Sequence, residues 1–263
     1  EIEPSPKEYR YRNRIQLQVG NGCVGYFATK SHNLVPVQDC LLADEKIGSL
    51  QDFSNKFELG QRIEVGLDES GNIFSGRTAY GGIQFTQVNP YQNEKLVNIL
   101  SAWVKERMPA DYILDLYCGS GNLTFPLALA SGACVMGIEA NKYAIEKARQ
   151  KNLLYKASMK KEQNMGQNIE FVAADVGEWL KSAKSFPNAM VVMDPPRVGC
   201  SDLTIHGISK IRPEIIFYVS CDVQTMVRDM AKLTGYELVR IKPIDMFPQT
   251  DHIETISEWA FKY

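Results

Sequence analysis

The pattern of apolar and polar positions changes period near residue 90. Ahead of it, Ile15, Leu17 and Val19 alternate with polar residues, the period of a half-buried strand, and Gly20-Asn21-Gly22 predicts a hairpin turn into Val24-Gly25-Tyr26-Phe27. Residues 34–78 continue in short β-like, turn-rich pieces, among them 62–67 followed by a turn over 68–72. Residues 1–80 thus read as a small β-rich domain and 81–263 as a second domain, with Gln84 to Pro90 at the junction. After Pro90, apolar positions 96, 97, 99, 100, 103 and 104 predict an amphipathic helix that ends near Met108-Pro109. Strands and helices then alternate. Strands are expected from 112 and over 134–138, 169–173, 189–193 and 215–219. Helices are expected from 124 and over 143–155, 176–183, 202–211 and 223–233, with the polar stretch 156–167 as a surface insertion. Two last apolar strands, 236–241 and 255–261, are joined by a long loop and should pair antiparallel. This alternation predicts an α/β fold with a doubly wound, mostly parallel sheet and an antiparallel last strand.

Composition narrows the picture a little. The 263 residues are 44% hydrophobic and 23% charged, ordinary for a globular protein with a real core. No apolar run approaches the ~20 residues of a membrane-spanning helix, so no membrane partner is expected. The net charge of −2 gives no bulk attraction to nucleic acid; any such surface must be local. One local stretch qualifies: Lys7, Arg10, Arg12 and Arg14 interleave with Tyr9 and Tyr11, which suits phosphate contact and base stacking, or equally a charged outer face. The six cysteines show no Cys-x-x-Cys pair and no zinc spacing, so reduced thiols, a cytoplasmic location and no metal site are expected. The chain opens at Glu1 without a methionine, which suits a piece of a longer protein.

The candidate chemistry gathers where ligands bind in open α/β sheets, at the carboxyl ends of the strands. Gly119, Glu139, Asp175, Asp194 and Cys221 all follow predicted strands. The turn Cys118-Gly119-Ser120-Gly121 differs from the dinucleotide fingerprint, with Thr124 at the third glycine and Asp115 four residues before Gly119. An acidic residue at the strand end, a Gly-x-Gly turn and Glu139 after the next strand resemble the S-adenosylmethionine (SAM) site of class I methyltransferases. There a carboxylate such as Glu139 accepts from the ribose hydroxyls. Asp194-Pro195-Pro196-Arg197 stops its strand at a rigid corner, because proline cannot donate to the ladder. Cys221 lies between a strand and a helix start, where the helix dipole is expected to lower its pKa and present a nucleophile. Glu254, entering the last strand, is a candidate general base with a raised pKa.

Together with Phe85-Thr86-Gln87-Val88-Asn89, Ser220-Cys221-Asp222, Phe247-Pro248-Gln249-Thr250-Asp251-His252-Ile253-Glu254 and Tyr11-Arg12-Asn13-Arg14, these motifs resemble the RNA 5-methyluridine (uracil-C5) methyltransferase family, the SAM-dependent enzymes of tRNA and 23S rRNA. The resemblance implies a class I methyltransferase domain over 81–263 and an RNA-contacting domain over 1–80. It implies Cys221 as nucleophile and Glu254 as base. Gln87, Tyr117, Asn122, Glu139, Asp175 and Asp194 would surround SAM. An RNA substrate follows, with a monomer expected and Phe85, Phe247 or Tyr117 as candidate stacking faces for the base. Many members also hold a [4Fe–4S] cluster. Cys40 matches its last ligand, while the other three would precede Glu1, so such a cluster is expected only in a longer chain. Two other readings remain: an inactive RNA-binding module of the same fold, and a class I methyltransferase acting on a base nitrogen. Neither needs both Cys221 and Glu254.

Overall fold

The computed structural model describes residues 1–68, 70–77, 87–158, 168–183 and 186–262. Part of the expected junction, including Phe85 and Thr86, and most of the expected insertion at 156–167 lie outside these residues. The chain divides into two compact units. One contains Ser5–Asn93 and Pro248–Thr250; the other contains Glu1–Pro4, Glu94–Phe247 and Asp251–Tyr263. The division thus falls after residue 93, with short segments exchanged at either end, where the sequence placed a single boundary at 80/81.

The smaller unit is an antiparallel sheet. Its strands are β1 (Arg14–Val19), β2 (Val24–Phe27), β3 (Leu34–Pro36), β4 (Arg62–Leu67) and β5 (Ile73–Arg77), in the order β3-β2-β1-β4-β5. Alternation along β1 buries Ile15, Leu17 and Val19 against Ile63 and Val65 of β4. Leu50 and Phe53, in a short 3-10 turn, close that core. Each fully buried apolar side chain of this size contributes roughly 1.5–3 kcal/mol.

Helix α1 (Pro90–Glu106), most of which belongs to the larger unit, starts with proline at its first position, where no N–H is needed, and Asn89 Oδ1 accepts from the Gln92 N–H at 3.2 Å. There follow β6 (Tyr112–Leu116), α2 (Thr124–Ser131), β7 (Cys134–Glu139), α3 (Lys142–Ser158), β8 (Ile169–Ala173), α4 (Val176–Ser182) and β9 (Ala189–Met193). The chain continues with α5 (Asp202–Ile211), β10 (Ile215–Ser220), α6 (Val223–Lys232), β11 (Tyr236–Ile244) and β12 (Glu254–Phe261). The sheet order is β11-β12-β10-β9-β6-β7-β8. Strands β6 to β10 run parallel, while β12 lies antiparallel between β10 and β11.

Successive residues of a strand point to opposite faces, so the central strands build two cores. Ile113, Met190, Val192, Phe217 and Val219 meet α1, α2 and α3 through Leu100, Leu127 and Ile145. Leu114, Leu116, Val191, Met193 and Tyr218 meet α4, α5 and α6 through Leu180, Ile208 and Met230. This two-sided burial explains why the strands read as continuous apolar runs. The strand order reverses between β6 and β9, and open α/β sheets bind their ligands outside the carboxyl ends of the strands at such a switch point.

Candidate active site

The ladder register sets which side chains share this edge. Leu116 pairs with Ile138 and with Met193, so the next residues outward are Tyr117, Glu139 and Asp194. Ser220 pairs with Thr255 across the antiparallel β10–β12 ladder, so one step further places Cys221 opposite Glu254. Because β12 runs against the other strands, its first residue lies on the edge formed by their carboxyl ends. Residues 33 apart in sequence thereby become cross-strand neighbours.

At the turn after β6, Tyr117 and Gly119 adopt left-handed φ values of 65° and 55°, and the Gly121 N–H donates to Cys118 O at 2.9 Å. Gly121, at φ 89°, has no room for a Cβ, which would stand 2.7 Å from the Phe125 ring. Among the described residues nothing lies within 4 Å of a Cβ position above Gly119. Glu139 accepts from the Gly119 N–H at 3.3 Å and from the Asn141 N–H at 2.7 Å, which ties the turn to the end of β7. Asp115 is fully buried: its Oδ2 accepts from Thr124 Oγ1 at 2.5 Å and its Oδ1 has no partner among the described residues. Burial, with the charges of Asp194 and Glu139 added, pushes its carboxyl up to about 7 against the Thr124 bond.

Around Cys221 lie two acids and one cation. Burial pushes Asp194 up to about 7. Burial raises Glu254 well above the ordinary carboxyl range, the Asp194 charge raises it further, and the Arg197 guanidinium pulls it back. Cys221 is half-buried and its thiol is raised, first by burial and then by Glu254, with Arg197 acting downward. This corrects the expectation of a thiol lowered by the helix dipole: α6 begins two residues later at Val223, and Asp222 caps its first N–H groups, those of Gln224 and Thr225. The downward pull comes from Arg197, a residue of the Asp194-Pro195-Pro196-Arg197 motif with no role assigned from the sequence. Its signal was a cation three residues after Asp194 on a proline-stiffened turn.

The remaining expected residues are spread out. Tyr117 is half-buried with its hydroxyl 3.0 Å from Thr204 Oγ1. Asn122 is exposed on the turn before α2. Asp175 is exposed after β8 and caps α4 by accepting from the Glu178 N–H at 3.0 Å. Phe247 is half-buried, edge-on to the His252 ring. Gln87 belongs to the smaller unit, where its carbonyl accepts from Asn13 Nδ2 at 3.5 Å.

The basic stretch fares differently from its sequence reading. Tyr11 is buried at 1% exposure with its hydroxyl donating to Pro248 O at 3.0 Å, so it cannot stack on a base. Arg10 forms a two-pronged pair with Asp39 at 2.7 and 2.6 Å, and Arg14 pairs with Glu64 at 3.3 Å. Tyr9 stays exposed, and Arg12 lies over the Tyr11 ring. Cys40 is half-buried in the same unit. Among the described residues no group of three or more His, Cys, Asp or Glu is placed to hold a metal, so the residues present do not fit an iron–sulfur cluster.

A doubly wound sheet with a glycine turn after its first strand, an acid after the next and an antiparallel strand inserted beside the last defines a class I methyltransferase fold. The sequence profile of the tRNA (Uracil-5-)-methyltransferase family matches residues 67–257, and the chain belongs to that family. An uncharacterized RNA methyltransferase of Bdellovibrio bacteriovorus is 35% identical over 98% of this chain and 66% of its own length. The 23S rRNA (uracil(1939)-C(5))-methyltransferase RlmD of Marinomonas posidonica is 37% identical over 68% of this chain and 39% of its own. The chain thus spans between about two fifths and two thirds of the length of these relatives. The crystal structure of the Pyrococcus abyssi tRNA (uracil-54, C5)-methyltransferase with S-adenosyl-L-homocysteine superposes with a TM-score of 0.76 at 24% identity, over 99% of this chain and 78% of that one.

Proposed function

We propose that this chain methylates carbon 5 of a uridine in RNA, using SAM as methyl donor. The observation that carries the reading is the register placing Cys221 opposite Glu254, with Asp194 and Arg197 beside them. The turn also suits the donor: among the described residues there is open room above Gly119, and the Glu139 carboxylate beside it fits a ligand carrying hydroxyls. Glu139, Asp194, Tyr117 and Asn122 would hold it, with Asp175 as a further contact. Bound SAM supplies an electrophilic methyl group.

The protein groups do the rest. The Cys221 thiol gives its proton to solvent and the thiolate adds to uracil C6, moving the C5–C6 π electrons into an enolate on C5 and O4. In that state carbon 5 would take the methyl group, the donor's S–CH3 bond breaking with its electron pair left on sulfur, so that S-adenosylhomocysteine departs. The Glu254 carboxylate then removes the C5 proton, the C5–C6 double bond re-forms, and the thiolate leaves. A raised pKa makes Glu254 the stronger base for this step. The uridine must leave its stack to reach Cys221. The smaller unit is proposed as the RNA-contacting part, through Tyr9, Lys7 and Arg12; one copy of the chain supplies both Cys221 and Glu254, so a monomer suffices. Reduced cysteines fit action in the cytoplasm.

The test uses RNA carrying 5-fluorouridine, whose C5 substituent cannot be removed as a proton. A covalent protein–RNA adduct that survives denaturing gels is expected with SAM present, and none with Cys221→Ala. On ordinary RNA, Glu254→Gln should accumulate an adduct that already carries label from methyl-labelled SAM. Normal turnover by Glu254→Gln ends the proposed base role. An adduct formed by Cys221→Ala ends that of the thiol.

A further inference from the structure

The turn after β9 is held from behind by a buried carboxylate with no part in the chemistry above. Asp229 lies on the inward stripe of α6, between Met226 and Met230, and is fully buried. Its Oδ2 accepts from the Cys200 N–H at 2.6 Å and from the Tyr218 hydroxyl at 2.9 Å. Its Oδ1 accepts from Nε and Nη2 of Arg228 at 3.0 and 2.7 Å, and the same Nη2 donates to Val198 O at 2.7 Å. Within the turn the Gly199 N–H donates to Pro196 O at 2.7 Å. Gly199 has a φ of 79°, and a Cβ there would collide with the Asp229 carboxylate and the Arg228 guanidinium.

The turn is therefore fixed at both ends. Asp194 N–H donates to Leu116 O at 3.3 Å on one side, and residues 198–200 lie against Asp229 on the other. Arg197 stands at its apex. Bonds to a buried carboxylate are charge-assisted and roughly twice as strong as neutral ones, so this anchor holds the backbone more firmly than a proline corner alone. We propose that Asp229 is a positioning residue that, through the turn over 196–200, sets where Arg197 stands against Cys221 and Glu254. The inference rests on reading this edge as the active site. The charged groups facing the Cys221 thiol are Glu254 from β12 and Asp194 and Arg197 from the β9 turn. Of these Arg197 alone favours the thiolate. Displacing it should leave a thiol facing two acids.

The test needs neither RNA nor SAM, so its result is separate from the fate of the methylation reading. The rate of iodoacetamide alkylation at Cys221 is followed against pH by mass spectrometry of the Cys221 peptide in the full chain. Arg197→Gln should slow the reaction at pH 7.5 by about two- to fivefold and move the profile to higher pH. Asp229→Asn should do the same, because its amide cannot accept all four bonds, and the double variant should add nothing further. Tyr218→Phe removes one donor and leaves three, so it should fold and show a smaller slowing in the same direction. The proposal is overturned if Arg197→Gln changes nothing, or if Asp229→Asn lowers the melting temperature while the Cys221 profile stays in place. If Asp229→Asn does not fold, Tyr218→Phe decides alone, and an unchanged rate overturns the proposal.

Discussion

Glu254 and Glu258 are two buried carboxylates on one face of β12, four residues apart and exposed by 2% and 0%. Their surroundings differ by what stands opposite them on β11. Glu258 pairs in register with Arg240, which reaches it at 2.5 Å, and Arg107 adds a second contact at 2.5 Å. Glu254 pairs in register with Ile244, fully buried and apolar. Its charged neighbours are Asp194, which opposes ionisation, and Arg197, which favours it. A buried acid with two arginines is a strut. A buried acid facing a hydrocarbon and another acid keeps its proton longer and is suited to moving one. The same residue type on the same strand is neutralised by arginines at one position and, in the function proposed above, poised for chemistry at the other.

The largest effect that would break this comparison is on stability. Glu258→Gln leaves Arg107 and Arg240 without their shared counter-charge. Both arginines are about one third exposed, so water offsets part of the loss and about 2–3 kcal/mol of destabilisation is expected, the low side of broken buried pairs. Glu254→Gln should leave stability unchanged or raise it, since it removes a buried charge that has an acid beside it. Urea unfolding of the two variants gives the answer. Equal costs for both would mean that Glu254 is as much a strut as Glu258.

The sequence carried the local part of this arrangement and missed the part set by pairing. Strands 169–173 and 189–193 and helix 202–211 stand where the periodicity placed them, because short apolar runs bounded by polar breakers define themselves locally. The glycine turn and Glu139 were legible for the same reason. That β12 would insert between β10 and β11, and so bring Glu254 beside Cys221, depends on contacts far apart in sequence; spacing alone could not supply it, and only the family resemblance joined the two residues. For the same reason the sequence left Tyr11 and Arg10 open between an RNA face and a charged outer face. Their partners are Pro248, 237 residues away, and Asp39, 29 away. Glu258 and Asp229 drew no notice at all, although each is a charge on an apolar stripe, a pattern that signals a buried partner.

Glu139 extends the comparison to a third kind of acid, half-buried and held by two backbone N–H groups, with neither arginine nor apolar wall described as its partner. Both oxygens keep lone pairs for a ligand's hydroxyls. Glu139→Ala should weaken SAM binding by about 1.5–3 kcal/mol, the range for bonds to a charged acceptor. Isothermal calorimetry on the full chain measures it. Unchanged affinity would remove Glu139 from the donor site and leave it a turn fastener.

The smallest effect sharpens the contrast through pH. In the unfolded chain Glu254 releases its proton near the ordinary value of 4.5, and in the folded chain it does so well above that. Between those points the folded state binds more protons than the unfolded one, so stability falls as pH rises; above the folded value the loss is complete and constant. Asp115 and Asp194, both pushed up to about 7, act in the same direction. The wild-type chain should therefore lose stability from about pH 4.5 through about pH 7. Glu254→Gln cannot titrate at that position and should lose less, the gap opening as pH rises above 4.5. The quantity to follow is the difference between variant and wild type, measured by urea unfolding at half-unit steps of pH, since the other carboxyls cancel in it to first order. A difference that widens with rising pH gives Glu254 the late-titrating carboxyl. A flat difference, or one that narrows, would mean that Arg197 outweighs burial and Asp194 together, and Glu254 would then be an ordinary ionised acid at neutral pH with no special strength as a base.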